Sequence, residues 1–251
     1  NSFVRCQMAW KFSYVDKIKI KPSWAITGRS AHAAEEANYK QKLETHEDMS
    51  LSDVKDIAVS IFDEELNSGT EQVLWEEGET PGKTKDRVVV GVSGYHTNVA
   101  PQIQPVMVEE PVELILPWGT TLVGRIDVVD QDTAIRDTKH VSYKPRPGDD
   151  RYQTQPGIYG YAYQRLTGSI PKFMFDNVIL GNKKYPKAIA EIETIETTVD
   201  DKRISWALKR LKAIDRGIQA ATKSGDVAAN PSVWNCKNCG YRSLCPYGVS
   251  G

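Results

Sequence analysis

The stretch "LVGRIDVVDQDTAIRDTKH", Leu122 to His140, decides the fold. Apolar and β-branched residues (Val123, Ile126, Val128, Val129, Ala134, Ile135) flank the polar "DQDT", which predicts two antiparallel strands joined by a short turn. With the turn centred near Asp132, Val129 pairs with Ile135 and Asp127 falls opposite Asp137. Residues two apart in a strand share a face, so Lys139 points the same way as Asp137. Charges among apolar neighbours cost stability unless they are paired or hold a metal. Like charges directly across a ladder are also unfavourable. Two readings answer this. A hard divalent cation between the acids reverses the sign of their repulsion and, with Lys139 alongside, could activate water. In the blander reading the acids are solvated at a sheet edge with Lys139 as their ion-pair partner, since short acidic patterns recur by chance.

Working outward, "VMVEEPVELIL" before the hairpin and "KFMFDNVIL" and "KAIAEIETIETTV" after it read as further strands. "KPRPGDDRYQ" is a turn-rich loop, and "QTQPGIYGYAYQRLTG" is a helix closed by Gly168. Upstream, "TGRSAHAAEEANYKQKLE" predicts a helix from about Ser30. "SLSDVKDIAVSIFDEELNSG" predicts another, with Ser52 as N-cap, Ile57, Ile61 and Phe62 as its apolar stripe, and Gly69 past its end. "VLWEEGETPGKTKD" reads as an exposed loop, and 87–104 fit helix or strand equally. "DDKRISWALKRLKAIDRGIQAAT" is the clearest amphipathic helix, with Ile204, Leu208, Leu211 and Ile214 on one face. Helices, strands, a helix, strands and a helix in that order predict an α/β or α+β protein with a mixed central sheet.

The chain also contains four cysteines. Cys236, Cys239 and Cys245 are spaced C-x2-C-x5-C in a C-terminal loop, and Cys6 lies near the other terminus. Clustered cysteines in a cytosolic chain point to metal rather than disulfides. Zinc and an iron–sulfur cluster both take four thiolates. Zinc favours two close pairs, so a trio plus one distant cysteine favours iron–sulfur, with Zn2+ as the alternative. Either would staple the N-terminal segment to the C-terminal loop. A thioredoxin-like role lacks the βα context it needs.

With these residues in hand, the chain resembles the RecB-family nucleases of the PD-(D/E)xK superfamily, in particular the iron–sulfur branch that includes the AddB nuclease domain, CRISPR-adaptation nucleases and phage exonucleases. The resemblance runs through nearly the whole chain. "FVRCQMAWKFSYV" is similar to the family's opening segment. "GRSAHAAEE" is similar to its G-x-x-x-H helix, with His32 as the histidine. "GRID" and "IRDTK" resemble the second and third motifs, "QPGIY" resembles Q-x-x-x-Y, and the cysteine trio closes the chain. Two departures stand out: His140 follows the motif lysine, where threonine or serine is common, and Pro156 lies inside Q-x-x-x-Y.

The resemblance implies a restriction-endonuclease-like core: a single nuclease domain over residues 1–251, with a helical part over 1–104, a catalytic sheet over 105–199 and the last helix and cysteine loop over 200–251. It implies that His32, Asp127, Asp137 and the carbonyl of Thr138 hold Mg2+ or Mn2+, that Lys139 orients or deprotonates water, and that Gln155 and Tyr159 position the scissile strand. It further implies a 4Fe-4S cluster on Cys6, Cys236, Cys239 and Cys245. The expected activity is metal-dependent DNA hydrolysis, as an exonuclease preferring single strands or DNA ends. The expected partner beyond DNA is a helicase or a recombination or adaptation protein.

Other residues are less distinctive. Tyr159 fits equally as a core aromatic beside Tyr161 and Tyr163. Glu35, Glu36, Glu109 and Glu110 read as solvated or structural, with a secondary ligand among them as the alternative. Lys11, Lys17, Lys19, Lys21, Lys144, Arg146 and Arg151 could touch phosphates, although each alone reads as a surface charge. Trp10, Trp24 and Tyr14 could stack on bases or pack around the cluster.

Composition bounds these readings. A net charge of -1 over 251 residues requires any nucleic acid to be bound by a local basic surface. No apolar run approaches the roughly 20 residues of a membrane helix, and no secretory leader is legible. The expectation is a soluble cytoplasmic protein of a bacterium, archaeon or phage. The absence of G-x-x-x-x-G-K-[ST] argues against an ATP-driven helicase. Two other classes compete with the enzyme: a catalytically silent nuclease fold that binds DNA or a partner, and a zinc or redox interaction protein in which the hairpin acids are incidental.

Overall fold

The structure, a computed structural model, describes residues 2–68, 73–75, 78–146, 148, 150–182, 185–237 and 239–249, the side chains of Asp150 and Arg151 excepted. Gly69, expected past the end of a helix, and the side chain of Arg151, a candidate phosphate contact, lie outside the described residues. In chain order the helices are α1 Ser2–Arg5, α2 Gln7–Trp10, α3 Ser23–Thr45, α4 Leu51–Asn67, α5 Pro81–Asn98, α6 Asp150–Thr167, α7 Asp201–Ser224 and α8 Val233–Lys237. The strands are β1 Lys21–Pro22, β2 Val73–Leu74, β3 Pro105–Ile115, β4 Thr121–Asp130, β5 Ala134–Val141, β6 Lys172–Gly181 and β7 Pro186–Thr197. No helix among the described residues is long and apolar enough to cross a membrane.

The chain divides into two compact units. The larger, Ile26–Asn67 with Gly78–Leu208, is built on a sheet ordered β3-β4-β5-β6-β7. Neighbours are antiparallel except β5 and β6, which run parallel and therefore need the crossover that α6 supplies. Each face buries its own core. Tyr39 of α3, Tyr95 and Val99 at the end of α5, and Ile103 pack against Val128, Val178 and Leu180. On the other face Tyr152, Ala162 and Tyr163 of α6 pack against Val129, Ile135, Phe173 and Phe175. This is the mixed sheet flanked by helices that the sequence predicts.

Helix boundaries correct several expectations. α3 begins at Ser23, well before Ser30. The cap of α4 is Ser50, not Ser52: its Oγ accepts from the Asp53 N–H at 3.1 Å and donates to the Asp53 carboxylate at 2.7 Å, a reciprocal cap. Its fully buried stripe is Val54, Ala58 and Phe62, with Ile57 and Ile61 half-buried beside it. The segment read partly as loop and partly as ambiguous is α5. Thr80 caps it by accepting from the Lys83 N–H, and Pro81 occupies the first turn, where its missing N–H costs nothing. Pro156 lies deeper in α6 than the sequence suggests. There it cannot donate the helical bond to the carbonyl of Tyr152.

The smaller unit, Asn1–Ala25 with Ser68–Glu77 and Lys209–Gly251, contains short elements. β1 and β2 form a two-residue parallel pair, Lys11–Val15 is a π-helical turn, and α8 spans five residues inside the segment expected to be all loop. Its core is Phe3, Trp10 and Ala221, with Ile214, Ile218 and Val227 packed around them.

Candidate active site

The hairpin turn is tied by one side chain. Asp130 Oδ1 accepts from the N–H groups of Asp132 and Ala134 at 3.0 and 2.9 Å, while Thr133 adopts φ +59°. This fixes the register that the sequence implies, with Val129 opposite Ile135 and Val128 opposite Arg136. The ladder records only these two pairs. The next rung, which would join Asp127 to Asp137, is not formed, yet the Asp137 charge is felt at Asp127. On the far side of β4, Glu109 of β3 adopts φ +55° and the rung to Asp127 is missing, while the rungs on either side, Val108–Val128 and Glu110–Ile126, keep one register. Side-chain alternation breaks here: Ile126 and Val129 both enter the α6-side core, while Val128 enters the other. Asp127 thus sits at a distortion in both ladders.

Asp137 is buried, and β5 presents it to α6. Lys139 Nζ donates to its Oδ1 at 2.8 Å, and Gln155 Nε2 donates to the same oxygen at 2.7 Å. Lys139 also approaches Oδ2 at 2.6 Å, but without the angle of a hydrogen bond, so that buried oxygen has no directed donor. The ion pair at Oδ2 is real as charge, and the orphaned lone pairs are real as geometry. Burial pushes the Asp137 carboxyl above its usual range, against the pull of Lys139, His32 and Gln155. Asp127 is pushed up to about 6, first by burial, then by the charges of Asp137 and Glu109, with His32 and Lys139 opposing. His32 of α3 is therefore close enough for its charge to be felt at both acids.

Thr138 is buried between Asp137 and Lys139. Tyr159 is half-buried, bonded to Gln155 and tilted against Phe173 at 5.9 Å between ring centroids; burial and the two carboxylates raise its phenol well above normal. Hydrogen bonds and electrostatic influence thus link His32 of α3, Asp127 of β4, Asp137 and Lys139 of β5, and Gln155 and Tyr159 of α6, with no three acid or histidine side chains among the described residues forming a closed cage; Thr138 lies between Asp137 and Lys139 in the chain, its side chain bonded to Tyr95. Gln155 and Tyr159 are joined to the acid cluster rather than projecting alone.

In the smaller unit, Cys6, Cys236, Cys239 and Cys245 all line one pocket, with Arg5, Phe12, Asn230, Tyr241 and Arg242. Backbone N–H groups of Val249 and Ser232, then Arg242 and Arg5, pull the Cys236 thiol below its usual range. The N–H of Asn230 points at Cys6 Sγ at 3.5 Å. Among the described residues no three His, Cys, Asp or Glu side chains are already drawn together as a metal-ion cage.

The family model of the PD-(D/E)XK nuclease superfamily matches residues 1–246. The chain belongs to this superfamily. It is a nuclease, a hydrolase of phosphodiester bonds, and its sheet is that superfamily's fold. A search of curated proteins gives no match. Two solved structures are similar. One is a candidate exonuclease from Eubacterium rectale, at 13% identity over 79% of this chain and 71% of that one, with a TM-score of 0.47. The other is SSO0001, at 11% identity over 90% and 86%, with a TM-score of 0.42.

Sequence reasoning missed two features of the nuclease. Glu35, read as solvated or structural, and His140, noted only as following the motif lysine, have buried side chains bonded to each other at 2.8 Å. No local pattern could pair residues so far apart. Glu109 is bonded to Arg125 at 2.7 Å, and its charge is felt at Asp127 and Tyr159. The adjacent acids in "VEEPV" were a usable signal, because alternation in a strand turns one of two neighbours inward. Of the candidate cations, Lys11 is paired with Asp16 and Lys144 with Glu191, so neither is a free phosphate contact. Trp10 is buried against Phe3, whereas Tyr14 and Trp24 are 58% and 62% exposed.

Proposed function

We propose that the protein is a metal-dependent deoxyribonuclease that degrades DNA from its ends, with a preference for single strands. The observation that carries this is the pair Asp127 and Asp137, electrostatically linked beside the unformed rung of the β4–β5 ladder, with Lys139 ion-paired to Asp137. Two neighbouring carboxyls disfavoured by burial and served by one lysine leave negative charge that a cation would offset. The directed donor missing at Asp137 Oδ2 fits a ligand position. Asp127, Asp137, the Thr138 carbonyl and His32 would hold Mg2+ or Mn2+, a donor set suited to those ions. Such an ion supplies a Lewis acid for the phosphate and a more acidic water.

The protein's own groups do the rest. Lys139, ion-paired with Asp137, donates hydrogen bonds: it orients the attacking water and offsets charge on the phosphate as the water oxygen bonds to phosphorus and gives up its proton to solvent, while the bridging P–O bond breaks and the leaving oxygen takes its electron pair and a proton from solvent. Gln155 holds Asp137 in its rotamer, and Tyr159, bonded to Gln155, lines the path of the scissile strand. Tyr14 and Trp24 offer exposed aromatic faces of the kind unpaired bases stack on, which supports the single-strand preference.

The second part of the reading is that the four cysteines bind a 4Fe-4S cluster and that the chain works as a single nuclease domain. One pocket lined by all four thiols, a depressed Cys236 thiol and an N–H aimed at Cys6 Sγ support this.

Incubating the protein with end-labelled single- and double-stranded DNA, in Mg2+, Mn2+ or EDTA and beside Lys139→Ala, tests the reading. Metal-dependent cleavage lost in the variant is expected. DNA binding without cleavage under any condition would make the protein a catalytically silent module.

A further inference from the structure

The Glu35–His140 bond lies on the face of β5 opposite the acids. Asp137 and Lys139 point toward α6, and Thr138 and His140 point the other way. Their side chains on that hidden face are each held. His140 Nε2 meets Glu35 Oε1 at 2.8 Å, with the two side chains 2% and 7% exposed. Thr138 is bonded to Tyr95 of α5, whose hydroxyl meets that of Tyr39 of α3 at 2.9 Å. The residues on both sides of Lys139 are thus fixed from behind.

The helix that does much of the fixing is the one that carries His32. Glu35 lies one turn after His32, and Tyr39 one turn after Glu35, so α3 presents all three at helical spacing. α5 makes room for the histidine ring. A Cβ on Gly91 would come within 2.6 Å of His140 Nδ1 and 2.9 Å of its Cε1. That nitrogen is buried with no hydrogen-bond partner, so the ring is held by Glu35 alone and by packing. A buried ring with one polar partner is directional, because moving α3 relative to β5 by an ångström or two would strand both groups.

We infer that Glu35 and His140 are positioning residues: their bond ties the helix bearing His32 to the strand bearing Asp137 and Lys139, and so sets the spacing of the metal site. The inference rests on the metal reading proposed above. Neither residue touches the reacting atoms. Partners outside the ligand shell that orient ligands are typically worth about 10–100-fold in metal affinity.

The test is Mn2+ uptake by the full-length, cluster-intact protein, followed through the paramagnetic resonance of free Mn2+ without DNA. Glu35→Ala and His140→Ala should weaken uptake about tenfold or more. Glu35→Gln, which keeps an oxygen acceptor, should restore most of it. Glu35→Asp keeps the charge but falls short by one methylene, and it gives a folded intermediate case should the alanine variants unfold. Val54→Ala is the control: the residue is buried in α4 and belongs to neither sheet core, so it should lower the melting temperature yet leave Mn2+ affinity within about twofold. If Glu35→Ala and Glu35→Asp bind Mn2+ like wild type while melting lower, the pair is structural and the inference is overturned. If wild type takes up no Mn2+, the metal reading itself fails.

Discussion

The two units of this nuclease are stabilised in different ways. The sheet unit buries an apolar core on each face and supplements it with a buried polar layer. In that layer Arg136 reaches Asp130 at 2.8 Å and Asp176 at 3.0 Å, and Asp176 also accepts from Thr194 at 2.6 Å. Such a unit can tolerate two carboxyls placed against their electrostatic preference. Among the described residues the cysteine unit has a core centred on three residues, strands of two residues and helices of four or five apart from its shares of α3 and α7. Units with so little core need a staple, a metal or a partner to hold together. The contrast is between a scaffold with stability to spare for a destabilising site and a scaffold whose proposed cofactor is its stability.

Three measurements would break or sharpen that contrast. The largest effect is expected from Asp137→Ala, which removes a proposed ligand from the self-sufficient unit. Cleavage should fall by about a thousandfold or more, with iron content unchanged and the chain still folded. Cleavage at the parental rate would place the chemistry elsewhere. Next, Cys239→Ala should lower iron content and drop the melting temperature by roughly 5 °C or more, with early proteolysis confined to the cysteine unit. An unchanged melting curve would remove the reason for calling the cluster a staple.

The smallest effect concerns Asp127 in EDTA. Its carboxyl is raised from 3.8 to about 6 in the folded chain. Between those values the folded protein holds a proton that the unfolded chain has lost, so this contribution to stability is present at low pH and is lost as pH rises through about 6. Asp127→Asn should therefore stabilise the metal-free protein at pH 8 by about 1–3 kcal/mol, much less at pH 4, while abolishing cleavage. Equal stability of variant and parent at pH 8 would show that Asp127 ionises there without penalty.

Much of the site was legible in the sequence because it depends on local rules. Alternation and a short turn placed Val129 against Ile135, as the ladder shows, but the Asp127–Asp137 rung they also predicted does not form. Helix α5 was not legible because its run Val88, Val89, Val90 has strand chemistry. Packing against the sheet overrides that propensity, although Thr80 and Pro81 carried an N-terminal signal that outweighs it. Glu35 and His140 illustrate the other limit. Each is ordinary in its own segment, and their pairing exists only once α3 lies behind β5. The distortion at Glu109 was equally hidden, since no residue type announces a positive φ at a glutamate.

The brevity of the β4–β5 ladder also bears on how the protein folds. Two rungs close a hairpin whose turn is already tied by Asp130, so Asp127 and Asp137 can meet early, from a short loop closure. Lys139 arrives with the same strand. The β6 partner must wait for the α6 crossover, and His32 comes from a helix far back in the chain, which makes those contacts late ones. A nascent chain then carries a close pair of acids before it has the histidine that moderates them. A divalent cation present during synthesis would favour the hairpin at that stage, so the proposed catalytic ion would also assist the folding of its own site.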